Sequence, residues 1–283
     1  MLSFVCFQTK YTKLNLLSFV GMTIFVENKI IVDKDIIIEQ LKKEFEGRES
    51  FSKRELFDFY LRFHPQLKET TFRWRIHDLK DKGVIGPVSR ELLSFTNKPV
   101  FKPEIAETER RLTNRLMKQF FGLRLCIWST RILNEFMLHQ PGKFITILEV
   151  EKAALEPVFH FLKDNHTKEV YLLPGEKELE RYVYESRSGI IIESLVSKAP
   201  VQKVNHTPTV TIEKIIVDLF SDQRLFHTYQ GSELTNIIDS AYEKYQLDFT
   251  KLFSYAKRRR KETDLKDYLS RYTNIPQLLY DRP

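Results

Sequence analysis

The chain has 283 residues, of which 42% are hydrophobic and 29% charged, a balance typical of globular proteins and unlike that of disordered or fibrous ones. This length suggests two or three domains. Cys6 and Cys126 are the only cysteines, which excludes a disulfide scaffold and a zinc ribbon and fits a reducing cytoplasm. A formal net charge of +7 favours an anionic partner.

Residues 1–32 are predicted to be an N-terminal extension. Its apolar stretches, Leu2–Phe7 and Leu14–Val20, are separated by a polar segment with two lysines, so neither is long enough to cross a membrane. A signal peptide carries its positive charge in front of the apolar stretch, whereas here the lysines lie between the two. We therefore interpret residues 1–21 as not native and expect translation to begin at Met22.

The first regular pattern begins at Asp33 or Asp35, either of which can cap a helix that ends at Gly47. Its apolar residues lie along one side: Ile37 (or Ile38), Leu41 and Phe45. This helix opens a domain predicted to span residues 33–103.

A second helix is predicted after Ser52, because Ser52 and Glu55 have the spacing of a capping box. Its apolar residues repeat at helical spacing, and Pro65 ends it. The repeat consists of Leu56, Phe59, Tyr60 and Phe63.

A third helix is predicted to begin near Thr70 or Thr71. It buries three apolar residues at i, i+4 and i+7, namely Phe72, Ile76 and Leu79. Its opposite face carries polar and basic side chains.

A β-hairpin is predicted next, with strands at residues 84–88 and 92–95 and a turn at 89–91. The order helix, turn, helix, hairpin is typical of a winged helix-turn-helix, whose second helix enters the DNA major groove. Between Ser50 and Pro103 there are eleven Lys and Arg against six Asp and Glu, which is five of the seven net positive charges. This concentration favours DNA binding over the alternative of two amphipathic helices with ordinary solvated faces.

The predicted DNA contacts are of two kinds. Arg73 and Arg75 are candidates for base edges, because a guanidinium group matches guanine bidentately. The remaining candidates are Lys53, Lys82 and Arg90 for phosphates, and Thr71 on the exposed side of the third helix.

The rest of the chain is predicted to form an α/β domain with a helical C-terminal part. Residues 104–122 form a linker helix, and strands alternate with helices over residues 123–206, including a helix from Thr130 to Leu138. Apolar strands alternating with helices predict a sheet covered by helices and at least partly parallel. Residues 207–283 are predicted to be helical and to belong to the same domain. The fold class is therefore α+β or α/β, with an N-terminal winged helix-turn-helix.

No catalytic pattern is found. Gly231-Ser232 is followed by only one nearby aspartate, Asp239, where a nucleotidyltransferase needs two for its metal ions. The acid-x-Lys triplets that a nuclease would carry on a strand, residues 78–80 and 264–266, lie in predicted helices. We therefore expect no enzyme activity, no metal site and no cofactor.

A basic cluster near the C-terminus has two interpretations. It complements the negative end of a helix dipole, or it is a second patch that meets phosphates or an acidic protein. The cluster consists of Lys257, Arg258, Arg259, Arg260 and Lys261.

Three C-terminal segments, Thr209–Phe220, Tyr229–Leu234 and Tyr255–Arg259, resemble the C-terminal half of the AbiEi-like antitoxins. Ile127–Gly142 resembles an uncharacterised bacterial branch of that group, and the resemblance extends over about residues 33–272. It implies a transcriptional autorepressor that is also the antitoxin of a type IV toxin–antitoxin pair. The antitoxin-domain motif positions implied by the match are Glu213, Lys214 and Asp218.

The sequence thus predicts a bacterial, cytoplasmic DNA-binding autorepressor and antitoxin. Its predicted partner is double-stranded operator DNA. Its functional counterpart is a nucleotidyltransferase-like toxin, which we expect it not to contact directly. We expect no membrane association. One alternative is a degenerate nucleotidyltransferase or nuclease that the winged helix delivers to nucleic acid, which metal-dependent turnover would reveal. The other is a protein-interaction module whose winged helix binds no DNA.

Overall fold

A computed structural model describes residues 37–48, 50–88, 91–96, 98–138, 140–183 and 189–280. The fold is mixed α+β, and the chain divides into two compact units, one ending at Leu67 and the other beginning at Lys68. The predictions for the N-terminal extension, including a start at Met22, and for a cap at Asp33 or Asp35 lie outside the described residues.

The first unit contains helix α1 (37–44), a two-residue strand β1 (Phe51–Ser52) and helix α2 (Lys53–Phe63). The predicted capping box is confirmed: Ser52 N–H donates to Glu55 Oε2 at 2.7 Å, and Glu55 N–H donates to Ser52 Oγ at 3.1 Å. Helix α1 and the turn after it bury Leu41 and Phe45, and α2 buries Leu56, Phe59 and Tyr60. Phe63, predicted for the same face, is 43% exposed because it lies at the end of the helix.

The second unit begins with helix α3 (Glu69–Asp81) and an antiparallel hairpin of strands β2 (Ile85–Pro87) and β3 (Leu92–Phe95). Helix α3 buries the three residues predicted for its apolar face, Phe72, Ile76 and Leu79. Gly83, at φ +67°, takes the left-handed conformation that lets the chain leave the helix. The predicted third helix and hairpin are confirmed.

Hydrogen bonds connect the segment that follows the hairpin to helix α8 (Ser232–Lys244) and to Gln246 just after this helix. Gln246 donates its backbone N–H to Pro99 O at 3.1 Å and its side-chain amide to Lys98 O at 2.6 Å. Lys98 Nζ donates in turn to Tyr242 O at 2.6 Å. The hairpin is therefore attached to the C-terminal helices of its own unit.

A four-stranded mixed sheet forms the centre of the second unit. Its strands are β4 (Leu125–Ser129), β5 (Thr146–Val150), β6 (Val170–Leu172) and β7 (Ile190–Ser194), in the order β4-β5-β7-β6. Strand β4 is antiparallel to β5, whereas β7 is parallel to both β5 and β6. The prediction of a partly parallel sheet is confirmed.

Helices cover both faces of this sheet. Helices α4 (Glu107–Gln119) and α5 (Leu155–Asp164) pack on one face through residues such as Leu116 and Leu162. Because α4 contributes to this core, it is part of the second unit rather than a separate linker. The opposite face is covered by helices that include α7 (Ile212–Ser221) and α9 (Phe249–Arg258). Two further α-helices are α6 (Glu176–Glu178), which continues as a π-helix (Leu179–Val183), and α10 (Glu262–Tyr272). Short 3-10 helices lie at Lys152–Ala154, His227–Tyr229 and Gln277–Leu279.

Two local elements differ from the sequence-based expectation. The segment after β4 is a 3-10 helix, Thr130–Glu135, and not an α-helix to Leu138, because Thr130 exchanges two hydrogen bonds with Ile145 in front of β5. A hairpin of β8 (Val201–Val204) and β9 (Thr207–Val210) precedes the C-terminal helices. The hairpin tolerates Pro208 because both strands of a two-stranded ribbon are edge strands.

Candidate nucleic-acid interface and buried charge cluster

Helix α3 presents a polar face opposite its buried residues. Trp74 lies at the centre of that face and is 72% exposed, and its ring lies 6.0 Å from that of His77. An exposed indole on a short, well-packed helix is unusual because its burial against a partner would be strongly favourable. This face is the strongest candidate for a contact surface in the first part of the second unit.

The two arginines predicted to read bases differ in their surroundings. The Arg73 side chain is 77% exposed, with one guanidinium nitrogen 3.5 Å from Glu69 Oε2, whereas Arg75 is half-buried. Residues i and i+2 of an α-helix are separated by about 200° around the helix axis. The side chains of Arg73 and Arg75 therefore leave the helix on opposite sides of Trp74. Of the two residues predicted to contact bases, Arg73 is therefore the exposed one.

The other predicted DNA contacts are spread over both units. Thr71 is exposed on α3, and Lys82, just after it, forms an ion pair of 2.9 Å with Asp78. Lys53 is the first residue of α2 and is half-buried. Arg90 lies outside the described residues.

The basic cluster at the end of α9 does not act as one patch. Arg259 turns inward, with Nε 4.0 Å from Asp218 Oδ1, and Lys261 pairs with Asp264 at 3.0 Å. The other three side chains are exposed and form no ion pair within the described part of the chain: Lys257, Arg258 and Arg260. Only these three remain available to a phosphate or an acidic surface.

A row of polar residues crosses the sheet beneath α7. Strand register places Cys126 opposite Glu149 and Glu149 opposite Glu193, so the three side chains project from one face on neighbouring strands. Cys126 is fully buried, and burial, followed by the nearby Glu149 carboxylate, raises the pKa of its thiol well above the usual range. The row is the polar part of an otherwise apolar sheet face.

Lys214 of α7, the helix that covers this face of the sheet, contacts Glu149 in the row. Its Nζ lies 2.7 Å from Glu149 Oε2 and also donates to the Asp218 carboxylate one helical turn away, and the Lys214 side chain is 0% exposed. Burial alone would lower the pKa of Lys214, but Asp218 and Glu149 outweigh burial and raise it well above its usual range. Lys214 is therefore a buried cation.

The remaining neighbours balance the charge. Tyr255 of α9 donates its hydroxyl to Asp218 Oδ1 at 2.8 Å, and Arg259 approaches the same oxygen. Burial, followed by the Asp218 charge, raises the pKa of the Tyr255 hydroxyl, so this group stays a donor. Two basic side chains, Lys214 and Arg259, thus meet two acidic ones, Glu149 and Asp218, and burial raises the pKa of Glu149. We call Glu149, Lys214, Asp218, Tyr255 and Arg259 the buried charge cluster.

The residues that the antitoxin resemblance singled out have distinct surroundings. Lys214 and Asp218 belong to the buried charge cluster, whereas Glu213 accepts the N–H of Asp248 at 3.1 Å, at the start of α9. Each therefore connects α7 to another element of the core. Sequence reasoning missed Glu149, whose only signal was an acid within an apolar strand. It included Tyr255 only as part of the segment Tyr255–Arg259 and assigned it no role.

Glu193 lies at the outer end of the polar row. Burial and the neighbouring Asp222 carboxylate raise its pKa to about 7. Arg224 is 4.0 Å from Glu193 Oε1, which has no hydrogen-bond partner among the described residues. Glu193 therefore changes charge near neutral pH.

These elements define a mixed α+β protein in which an exposed helix and its hairpin precede a helix-covered sheet with a charged centre. The chain belongs to a family of unknown function (DUF6577), whose model matches residues 71–275, from the first turn of α3 to just beyond α10. No curated protein matches the chain. Because nothing in these comparisons links the chain to the AbiEi-like antitoxins, that resemblance stays a prediction.

None of the helices in the described part of the chain combines the length and the apolar character needed to cross a membrane.

Proposed function

We propose that this protein is a DNA-binding transcriptional regulator that represses its own promoter. In this proposal α3 is the recognition helix and β2–β3 the wing of a winged helix-turn-helix whose other helices are α1 and α2. The protein acts by binding in the bacterial cytoplasm and not as an enzyme. The observation that carries the proposal is the outward face of α3, where Arg73 and Trp74 are exposed on a helix anchored by three buried residues.

The placement of the hairpin supports this function. A recognition helix discriminates between sequences only when its orientation on the duplex is fixed, and contacts to the phosphate backbone provide that orientation. The hairpin follows α3 directly and is attached to α8 through Gln246 and Lys98. Val84 links helix and hairpin directly, since it donates its N–H to Leu79 O at 2.9 Å and its carbonyl accepts the N–H of Thr96 at 3.2 Å.

The charge distribution is the second support. The segment that contains α2, α3 and the hairpin carries five of the seven net positive charges of the chain. Neutralisation of phosphates supplies most of the affinity of a DNA-binding protein and makes that affinity fall steeply with salt.

A fluorescence-anisotropy titration with a labelled duplex from the region upstream of the gene tests the proposal. We expect tighter binding to this duplex than to a random one of equal length, and a linear decrease of log K with log salt. Arg90→Ala, at the predicted hairpin tip, should weaken both complexes alike and reduce the salt slope by about one unit. Absence of binding to either duplex would refute the DNA-binding function, and equal affinity for both would refute recognition of the promoter.

We further propose that the protein is the antitoxin of a nucleotidyltransferase-like toxin, which it opposes without direct contact. This half rests on the resemblance of segments such as Thr209–Phe220 to AbiEi-like antitoxins. Co-expression with a toxin gene from the same operon tests it, since the antitoxin should restore growth. Loss of rescue with intact promoter binding would reject the antitoxin role alone.

A further inference from the structure

A cavity of about 330 Å³ lies between the start of α4 and the 3-10 helix that follows β4. This volume is within the range of pockets that hold small molecules. Its lining includes Glu104, Glu109, Arg131, Ile132, Glu135 and Phe144, all from the second unit. The cavity is separate from both the outward face of α3 and the buried charge cluster, since it shares no residue with either.

Glu109 gives this cavity its chemistry. The residue is only 5% exposed, and one carboxylate oxygen, Oε2, accepts the N–H of Ala106 at 2.9 Å. The other oxygen has no hydrogen-bond partner among the described residues, although the side chain lines the cavity. This oxygen is accessible from the cavity and not sealed in the core, so a donor placed there can reach it.

The walls combine an apolar surface with negative charge. Phe144 and Ile132 supply the apolar part, and the Arg131 guanidinium lies 4.9 Å from the centre of the Phe144 ring. The lining contains three carboxylates and one arginine and is net negative, with Arg131 close enough to Glu109 to lower the pKa that burial raises. The Glu135 carboxylate already accepts the hydroxyl of Tyr245. A positively charged donor would complement the net negative lining and the free oxygen of Glu109, and a compact apolar group would fill the space beside Phe144.

We propose that this cavity binds a small organic cation, a primary ammonium or amidinium group carried on an apolar or aromatic body. The charged head donates to the vacant oxygen of Glu109, and the body lies against Phe144 and Ile132. A charge-assisted hydrogen bond in a partly buried site is about twice as strong as a neutral one, so the positive charge decides affinity.

Benzylamine is a suitable probe, with benzyl alcohol as the neutral analogue of the same shape. Isothermal titration and ligand-observed NMR with the full chain should show benzylamine binding about tenfold more tightly than benzyl alcohol. Glu109→Gln should abolish this preference, because the amide oxygen can still accept the Ala106 N–H while the charge is lost. The matched control is Glu107→Gln, which removes an exposed carboxylate paired with Arg110 and Arg111 outside the cavity and should keep the preference.

Equal binding of the two probes, or a preference that survives in Glu109→Gln, would overturn the proposal. Circular dichroism establishes whether this variant folds. If it does not, Phe144→Ala decides: several-fold weaker benzylamine binding supports the site, and unchanged binding rejects it.

Discussion

Lys214 Nζ lies 2.7 Å from Glu149 Oε2, although the two residues are 65 positions apart in the chain. One comes from a helix and the other from the strand beneath it, and both are buried. Asp218 shares the same ammonium group, so a single cation holds two carboxylates in the core. The contact joins α7 to β5 and has consequences for stability that can be measured.

Replacement of Lys214 by Met should destabilise the protein severely. It leaves two buried carboxylates without their shared cation, and the loss of one partner of a buried ion pair costs about 3–5 kcal/mol of unfolding free energy. Urea unfolding followed by circular dichroism measures this loss. Lys257→Met, which removes an exposed lysine near the end of α9, should change the unfolding free energy by less than about 0.5 kcal/mol. Equal urea midpoints for Lys214→Met and wild type would show that the cluster does not stabilise the fold.

Glu193 should make stability depend on pH near neutrality. Its pKa is about 7 in the folded protein and has an ordinary value near 4.5 when exposed, so the folded state binds the proton more tightly. Stability therefore decreases as pH rises from about 4.5 to 7, because the folded protein must then carry a poorly solvated charge.

Glu193→Gln isolates this contribution, since glutamine does not ionise. The Glu193 side chain is 19% exposed, and its pKa shift corresponds to at most about 3 kcal/mol of unfolding free energy. At about pH 8 the unfolding free energy of the variant should exceed that of wild type by up to this amount. The difference should disappear towards pH 4.5. Denaturant titrations at several pH values measure it, and a pH-independent difference would mean that Glu193 does not titrate in this range.

Arg73 and Arg75 should respond differently to alanine substitution. Arg73→Ala removes an exposed candidate for base contact, so it should weaken binding to the promoter by about 1–3 kcal/mol without lowering the melting temperature. Arg75→Ala removes a half-buried side chain and should mainly reduce stability, by about 1 kcal/mol. Anisotropy titration and thermal unfolding of the same two preparations separate the effects. If an Arg73→Ala variant binds the promoter with wild-type affinity, α3 is not the element that recognises the DNA sequence.

The two tryptophans provide a direct signal from the proposed interface. Trp74 is 72% exposed and Trp128 is 1% exposed, so an aqueous quencher should reach the first and spare the second. If α3 enters a groove, promoter DNA should protect Trp74 from iodide or acrylamide. Trp74→Phe should remove the quenchable fraction and leave the emission of Trp128 as the internal control. Unchanged quenching in saturating DNA would place the bound duplex elsewhere on the protein.

The sequence by itself determined the local elements. Ser52 and Glu55 begin α2 because their side chains satisfy each other's backbone donors, a relationship confined to four consecutive residues. The spacing of Phe72, Ile76 and Leu79 likewise fixed which side of α3 is buried, and so which side is left for a partner. Such interactions are short-range, so periodicity and capping patterns reveal them.

Only the tertiary structure decided which polar residues meet. Cys126, Glu149 and Glu193 form a row because of strand register, and a shift of one residue would turn Glu149 to the other face. The sequence places Lys214 and Asp218 one turn apart, but it does not identify Glu149 as the acid beneath them or Tyr255 as the donor beside them. These contacts depend on the packing of α7 and α9 on the sheet, because burial turns separate charges into one mutually dependent cluster.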